Sequence, residues 1–133
     1  MLFSLLQVSC GMTQKGKAVR AAEDRQAQTL LKFNKANQLL DDNQAEEAAK
    51  MYDQILVSNP VTSLDLLVLY NSGVAYFQSQ QCDQAVDRFR KVIRSSQKSP
   101  AIQSRAKLYL SDSYTCIGDD KKSISNLIEI FQG

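Results

Sequence analysis

The sequence predicts an all-α protein made of antiparallel helical hairpins stacked in series. Its 133 residues suit one domain. They are 44% hydrophobic and 23% charged, which is typical of a folded chain. From Val19 onward the pattern is helical almost throughout, and one arrangement of small and large residues occurs three times. These observations together favour a helical repeat.

Short polar runs divide the helical pattern into about six helices. The runs at residues 41–43, 79–81 and 118–120 contain residues that favour turns and helix caps. The only prolines, Pro60 and Pro100, fall between other helical runs. Proline suits such positions because it lacks an amide donor and restricts the residue before it. Connections this short make neighbouring helices antiparallel.

The recurring arrangement has a small residue, a large one three positions later, a small one after twelve, a large one after sixteen and an apolar one after nineteen. The copies are Ala36, Leu39, Ala48, Tyr52 and Ile55; Gly73, Tyr76, Ala85, Phe89 and Val92; and Ser111, Tyr114, Ser123, Leu127 and Ile130. The small residues let two helices approach, and the last two positions share a helix face. One hairpin cannot bury all of these residues, so the copies are expected to stack.

This spacing resembles the tetratricopeptide repeat, a helix–turn–helix unit of 34 residues. The copies cover about residues 29–62, 66–99 and 104–133, and Pro60 matches the proline that ends a repeat in that family. They depart from the family in lying 37 and 38 residues apart and in lacking its early tryptophan. The resemblance implies a tetratricopeptide-like α-solenoid over residues 19–133.

In that family, the first helices of the hairpins line a concave groove that commonly holds a peptide or a partner helix. Carrying over its groove positions gives the partner-binding candidates Phe33, Asn37, Tyr70, Asn71, Val74, Phe77, Arg105 and Tyr109, and the remaining groove positions are Leu30, Leu40, Leu67, Leu108 and Asp112. Asn37 and Asn71 match asparagines that bind the peptide backbone and its terminal carboxylate in carboxylate-clamp members.

Two other clamp positions, which are basic in those members, are Phe33 and Tyr109 here. A terminal carboxylate would therefore lack compensating charge, and an apolar or mixed peptide or helix is the expected ligand. A second interpretation stays open, in which several of the groove aromatics simply pack between hairpins.

Residues 1–18 are predicted to be a signal-like segment followed by a polar tether. Residues 6–11, LQVSCG, resemble a bacterial lipobox, in which the cysteine (here Cys10) becomes the lipidated first residue of the mature protein. Gln7 stands where that motif usually has leucine. The apolar run before Cys10 is too short to span a bilayer as a helix. The alternative is an apolar tail that packs on the domain or frays.

Composition weighs against catalysis and metal binding. The chain has no histidine, five glycines and no glycine-rich phosphate loop, so we expect no catalytic residue, metal or cofactor. The acidic pairs at 41–42, 46–47 and 119–120 are expected at turns and helix starts. There is no CxxC motif, and Cys82 and Cys116 are expected to be small buried hydrophobic residues.

Charge is unevenly distributed along the chain. Residues 41–65 carry six acidic side chains and one basic one, whereas residues 88–107 carry seven basic side chains. The favoured interpretation of the basic run is a solvated helix face, and the alternative is a surface that binds RNA or anionic lipid. A net charge of +2 and the lack of interleaved aromatics weigh against nucleic acid.

The expected function is that of a non-catalytic adaptor that binds a protein or peptide partner. With the lipobox-like start, the family resemblance implies a membrane-anchored periplasmic lipoprotein assisting bacterial envelope assembly or secretion. The alternative is a soluble cytoplasmic adaptor or co-chaperone. The last helix has an apolar face formed by Leu127, Ile128, Ile130 and Phe131. We expect this face to be covered by a second copy of the chain, by the N-terminal segment or by sequence beyond residue 133.

Overall fold

The computed structural model describes residues 13–58 and 64–133, and these ranges contain six α-helices and no strand. The helices are α1 (Gln14–Asp41), α2 (Ala45–Ser58), α3 (Asp65–Gln78), α4 (Cys82–Ser95), α5 (Pro100–Cys116) and α6 (Asp120–Gln132). The predicted all-α fold class is confirmed. Cys10 and the lipobox-like motif lie outside the described residues.

The chain divides into two units within α1, between Leu31 and Lys32. In the first unit, α1 begins at Gln14, five residues before Val19, where the helical pattern of the sequence begins. The Thr13 hydroxyl oxygen accepts a hydrogen bond from the Gly16 amide at 3.3 Å, so a threonine cap begins the helix earlier than the hydrophobic pattern indicated. The second unit, Lys32–Gly133, contains the helix packing described below.

Consecutive helices of the second unit pack in series. Helix α2 lies against α3, α3 against α4, α4 against α5 and α5 against α6, while α3 also touches α5. Pro100 is the first residue of α5, a position that proline favours because its amide would have no helical partner. This arrangement is that of an all-α helical repeat.

The turns within the three hairpins share one backbone geometry. Asn43, Gln80 and Gly118 each have a positive φ, of 61°, 63° and 80° respectively. In the first turn, the Asn43 amide donates to the Leu40 carbonyl at 3.2 Å, and the next amide donates to the carbonyl five residues before it at 2.8 Å. The same pair of bonds recurs in the other two turns. This Schellman geometry satisfies the last carbonyls of the first helix, so all three hairpins reverse in the same way.

The small positions of the repeated arrangement lie where helices cross. Ala36 and Ala48 are fully buried in the first hairpin. In the second, a Cβ atom on Gly73 would lie 2.8 Å from Cε1 of Phe89, so even alanine would displace the ring. Phe89 is itself fully buried. The predicted role of the small residues is confirmed in these two hairpins.

A polar network joins the first hairpin to the second. The Arg88 guanidinium donates from Nη2 to Asp53 Oδ1 at 2.8 Å and from Nε to Ser72 Oγ at 3.2 Å. The Tyr76 hydroxyl donates to the other oxygen of Asp53, and Arg88 also pairs with Asp87 at 3.0 Å. Burial lowers the pKa of the Arg88 guanidinium, but the hydrogen bond and the charge of Asp53 have a larger opposite effect. The pKa of Arg88 is therefore raised. Arg88 is therefore engaged within the fold.

The two helical cysteines form a disulfide, so the expectation of separate buried thiols is wrong. Cys82 is the first residue of α4 and Cys116 is the last residue of α5, and their Cα atoms are 6.1 Å apart. Cys82 is buried, whereas Cys116 is exposed. The bond joins the second hairpin to the third. The cysteines are 34 residues apart in sequence, and spacing alone does not reveal such a pairing.

Candidate functional site

The predicted groove residues separate into core residues and accessible ones. Phe33 and Val74 are only 8% exposed and belong to the two hydrophobic clusters of the second unit. The Phe33 ring lies 6.1 Å from that of Tyr52. Both side chains therefore pack in the core. For Phe33, this agrees with the second interpretation, in which several groove aromatics pack between hairpins.

The two predicted asparagines meet each other. Nδ2 of Asn71 donates to Oδ1 of Asn37 at 2.9 Å, and the Tyr52 hydroxyl donates to the same oxygen at 2.5 Å. Both asparagines are half-buried. Burial raises the pKa of Tyr52 to about 12, so this phenol stays protonated as a donor at neutral pH. The pair links the first helices of two hairpins.

A pocket of about 350 Å³ lies between α3 and α5, lined by groove positions that the sequence predicted. Its lining is Tyr70, Arg105, Leu108, Tyr109 and Asp112, which we call the aromatic pocket. Burial and the neighbouring Tyr109 raise the pKa of Tyr70. The pocket therefore offers two phenol rings and one leucine, with a charge of each sign beside them.

The walls of the aromatic pocket are supported by further ring contacts. The Tyr109 ring stacks on that of Phe89 at 5.1 Å and meets Tyr70 and Phe77 edge-on at 6.0 and 5.8 Å. Tyr109 therefore fixes the second hairpin against the third as well as lining the pocket. Phe77 contributes through Tyr109 and does not line the pocket itself.

The acidic pairs lie at turns and helix starts, as expected. Glu46 and Glu47 are in the first turn of α2. Asp119 caps α6 by accepting from the Lys122 amide at 3.1 Å. Hydrogen bonds from the side chain and amide of Lys122 hold the pKa of Asp119 below its usual value. These contacts are those of a helix cap.

The last helix leaves apolar surface exposed. Ile128 is 48% and Phe131 84% exposed, whereas Leu127 and Ile130 are half-buried. These are the residues for which self-association is one of the three expectations. Across residues 13–58 and 64–133, no helix combines the length and apolarity needed to cross a bilayer.

No protein-family model matches the chain, and a search of the curated proteins finds no significant match.

Proposed function

We propose that the protein is a non-catalytic adaptor that holds an apolar or mixed peptide, or a helix of a partner protein, in a groove of the tetratricopeptide type. The observation that carries this proposal is the aromatic pocket. Its rings and Leu108 offer apolar area to a partner side chain, and Arg105 and Asp112 offer polar contacts at its edge.

The asparagine pair supports binding of an extended backbone. Asn37 Oδ1 is occupied by Asn71 and Tyr52, but Nδ2 of Asn37 and Oδ1 of Asn71 take no part in that pair. One amide donor and one amide acceptor on half-buried side chains suit the alternating donors and acceptors of a peptide.

The disulfide bears on the compartment. Disulfides persist in oxidising compartments, including the bacterial periplasm, and are rare in the cytosol. Cys82–Cys116 therefore favours an oxidising compartment, such as the periplasm, over the cytoplasm. Lipidation at Cys10 is the proposed tether, and assistance to envelope assembly or secretion is the proposed role.

The groove is tested by selecting peptides from a random display library on the wild-type protein and measuring their affinities for variants. Leu108→Arg places a charged side chain in the aromatic pocket, and we expect affinity to fall by about tenfold or more. Val57→Arg is the matched control, because Val57 is 89% exposed and does not line that pocket. The groove would be ruled out if the selected peptides bound both variants as tightly as they bind the wild type.

The double replacement of Asn37 and Asn71 is a poorer test, because it also removes the acceptor of the buried Tyr52 hydroxyl. An unsatisfied buried hydroxyl costs about 1–3 kcal/mol, and a loss of folding would imitate a loss of binding.

The tether is tested by metabolic labelling with a fatty-acid precursor in a bacterial host. The wild type should take up label and Cys10→Ser should not. Absence of label from the wild type would contradict lipidation and leave the groove proposal untouched.

A further inference from the structure

A second concave surface lies between α4 and α6, with α5 as its floor. It encloses about 390 Å³, within the range of ligand pockets. Its lining residues are Arg90, Ile93, Arg94, Lys107, Leu110, Tyr114, Lys122, Ser125, Asn126 and Glu129. We call it the basic cleft, because four of these side chains are cationic and one is anionic.

Positive charge outweighs negative charge in the cleft, although Glu129 is one of its lining residues and the Asp87 carboxylate interacts electrostatically with Arg94. Within residues 13–58 and 64–133, Arg90, Arg94 and Lys107 form no ion pair, whereas Lys122 pairs with Asp119 at 3.0 Å. Arg90 and Arg94 are one helical turn apart on α4, where like charges lower helix stability. Cations grouped in this way attract a ligand that carries several negative charges.

Part of the cleft lining is apolar and held in place: Leu110 and Tyr114 on α5 and Ile93 on α4, with the Lys122 ammonium 5.7 Å from the centre of the Tyr114 ring. Leu110 is buried, and Ile93 and Tyr114 are half-buried. Nδ2 of Asn126 donates to the Lys107 carbonyl at 2.7 Å and to Ser111 Oγ at 2.6 Å, which fixes α6 on α5. A preformed site loses less conformational entropy when it binds.

The basic cleft is separate from the aromatic pocket. At 3.6 residues per turn, Arg105 and Tyr109 lie on one side of α5, whereas Lys107, Leu110 and Tyr114 lie on the opposite side. The protein could therefore bind one ligand in the basic cleft and a different ligand in the aromatic pocket at the same time.

We propose that the basic cleft binds an acidic peptide segment of a partner protein, in which carboxylates flank an apolar side chain. The carboxylates meet the arginines and lysines of the rim, and the apolar side chain covers Ile93, Leu110 and Tyr114. A lone phosphate would leave these three apolar side chains uncovered. A lipid acyl chain would meet four cations, Ser125 and Asn126, which do not suit it.

The test uses the folded wild-type chain and two fluorescent pentapeptides in an anisotropy titration. One peptide has a leucine between two pairs of glutamates, and the other has glutamines in place of the glutamates. The wild type should bind the glutamate peptide at least about tenfold more tightly, with affinity falling as salt rises.

The matched variants are Arg90→Glu with Arg94→Glu, and Lys98→Glu with Lys121→Glu. Both pairs change the net charge equally, but Lys98 and Lys121 are exposed cations outside the cleft. The first pair should weaken binding by about tenfold or more, and the second by about twofold or less. Lys107→Gln is an independent cleft variant, to be used if the first pair does not fold.

Equal binding of the two peptides, or equal loss in the two variant pairs, would overturn the proposal. Inorganic phosphate that displaced the peptide at the peptide's own concentration would show that charge alone is recognised, which also contradicts it. So would cleft-dependent binding to vesicles of anionic lipid without peptide binding, because the cleft would then be a membrane contact.

Discussion

The second and third hairpins follow the same spacing but are stabilised differently. In the second, Gly73, Ala85, Phe89 and Val92 are all buried, and the aromatic ring fills the space above the glycine. In the third, serines occupy both small positions, and the two later positions, Leu127 and Ile130, are only half-buried.

Hydrogen bonds take over part of the role of the missing core in the third hairpin. The Thr115 hydroxyl donates to Ser123 Oγ at 2.9 Å, and Asn126 donates to Ser111 Oγ at 2.6 Å. Ser111 and Ser123 are nevertheless buried. The repeated spacing therefore fixes where helices cross, while the residue types decide whether the crossing is apolar or hydrogen-bonded.

The largest expected effect is that of truncating the ring at the second crossing. Phe89→Ala should lower the free energy of unfolding by about 3–5 kcal/mol, because it empties a fully buried site. Leu127→Ala, at the equivalent position of the third hairpin, should cost about 1–2 kcal/mol, since the side chain is half-buried. Urea denaturation measures both values, and equal losses would mean that the two crossings contribute alike.

Removing the cross-link between the two hairpins should have the next largest effect. For a loop of this length, replacing both cysteines with serine should cost about 3–4 kcal/mol. Hydrogen exchange should show the loss first in α5 and α6, which have less apolar core than α3 and α4. Faster exchange in α3 and α4 alone would contradict this order.

A smaller effect is expected from filling the space above Gly73. Gly73→Ala should destabilise the protein by about 1–3 kcal/mol, because the new methyl group would meet the Phe89 ring. Combining it with Phe89→Leu, which removes the ring atoms involved, should cost less than the sum of the two separate changes. Full additivity in a double-mutant cycle would show that the contact does not limit residue size.

The smallest effect concerns the cap of the third hairpin. The pKa of Asp119 is lowered in the fold, so its contribution is present above the pKa of an unfolded aspartate, about 4. That contribution is lost as the pH falls through the folded value. In thermal melts at pH 7 and pH 3, Asp119→Asn should reduce the pH dependence of stability. An unchanged pH dependence in Asp119→Asn would contradict this role of the cap.

The hairpin turns and the crossing positions were predictable because they depend on local chemistry and helical period. The polar runs at 41–43, 79–81 and 118–120 do hold the three reversals. The start of α1 was less predictable, because Thr13 caps a stretch with no hydrophobic pattern.

Contacts between neighbouring hairpins, which join residues far apart in sequence, could not be predicted from periodicity. The disulfide and the Arg88–Asp53 ion pair join residues 34 and 35 positions apart, and their formation depends on how one hairpin sits on the next. Phe33 and Val74, which were predicted to line the groove, are instead packed in the core. Both residues lie on the helices expected from the sequence, but the spacing of residues does not distinguish a side chain that packs from one that binds.

The position of the disulfide also determines what a protease could release. The closed covalent ring contains α4, the connection at residues 96–99 and α5. A tryptic cut after the exposed Lys98 would therefore leave both fragments covalently joined. They would run as one band on a non-reducing gel and separate only after a reductant is added.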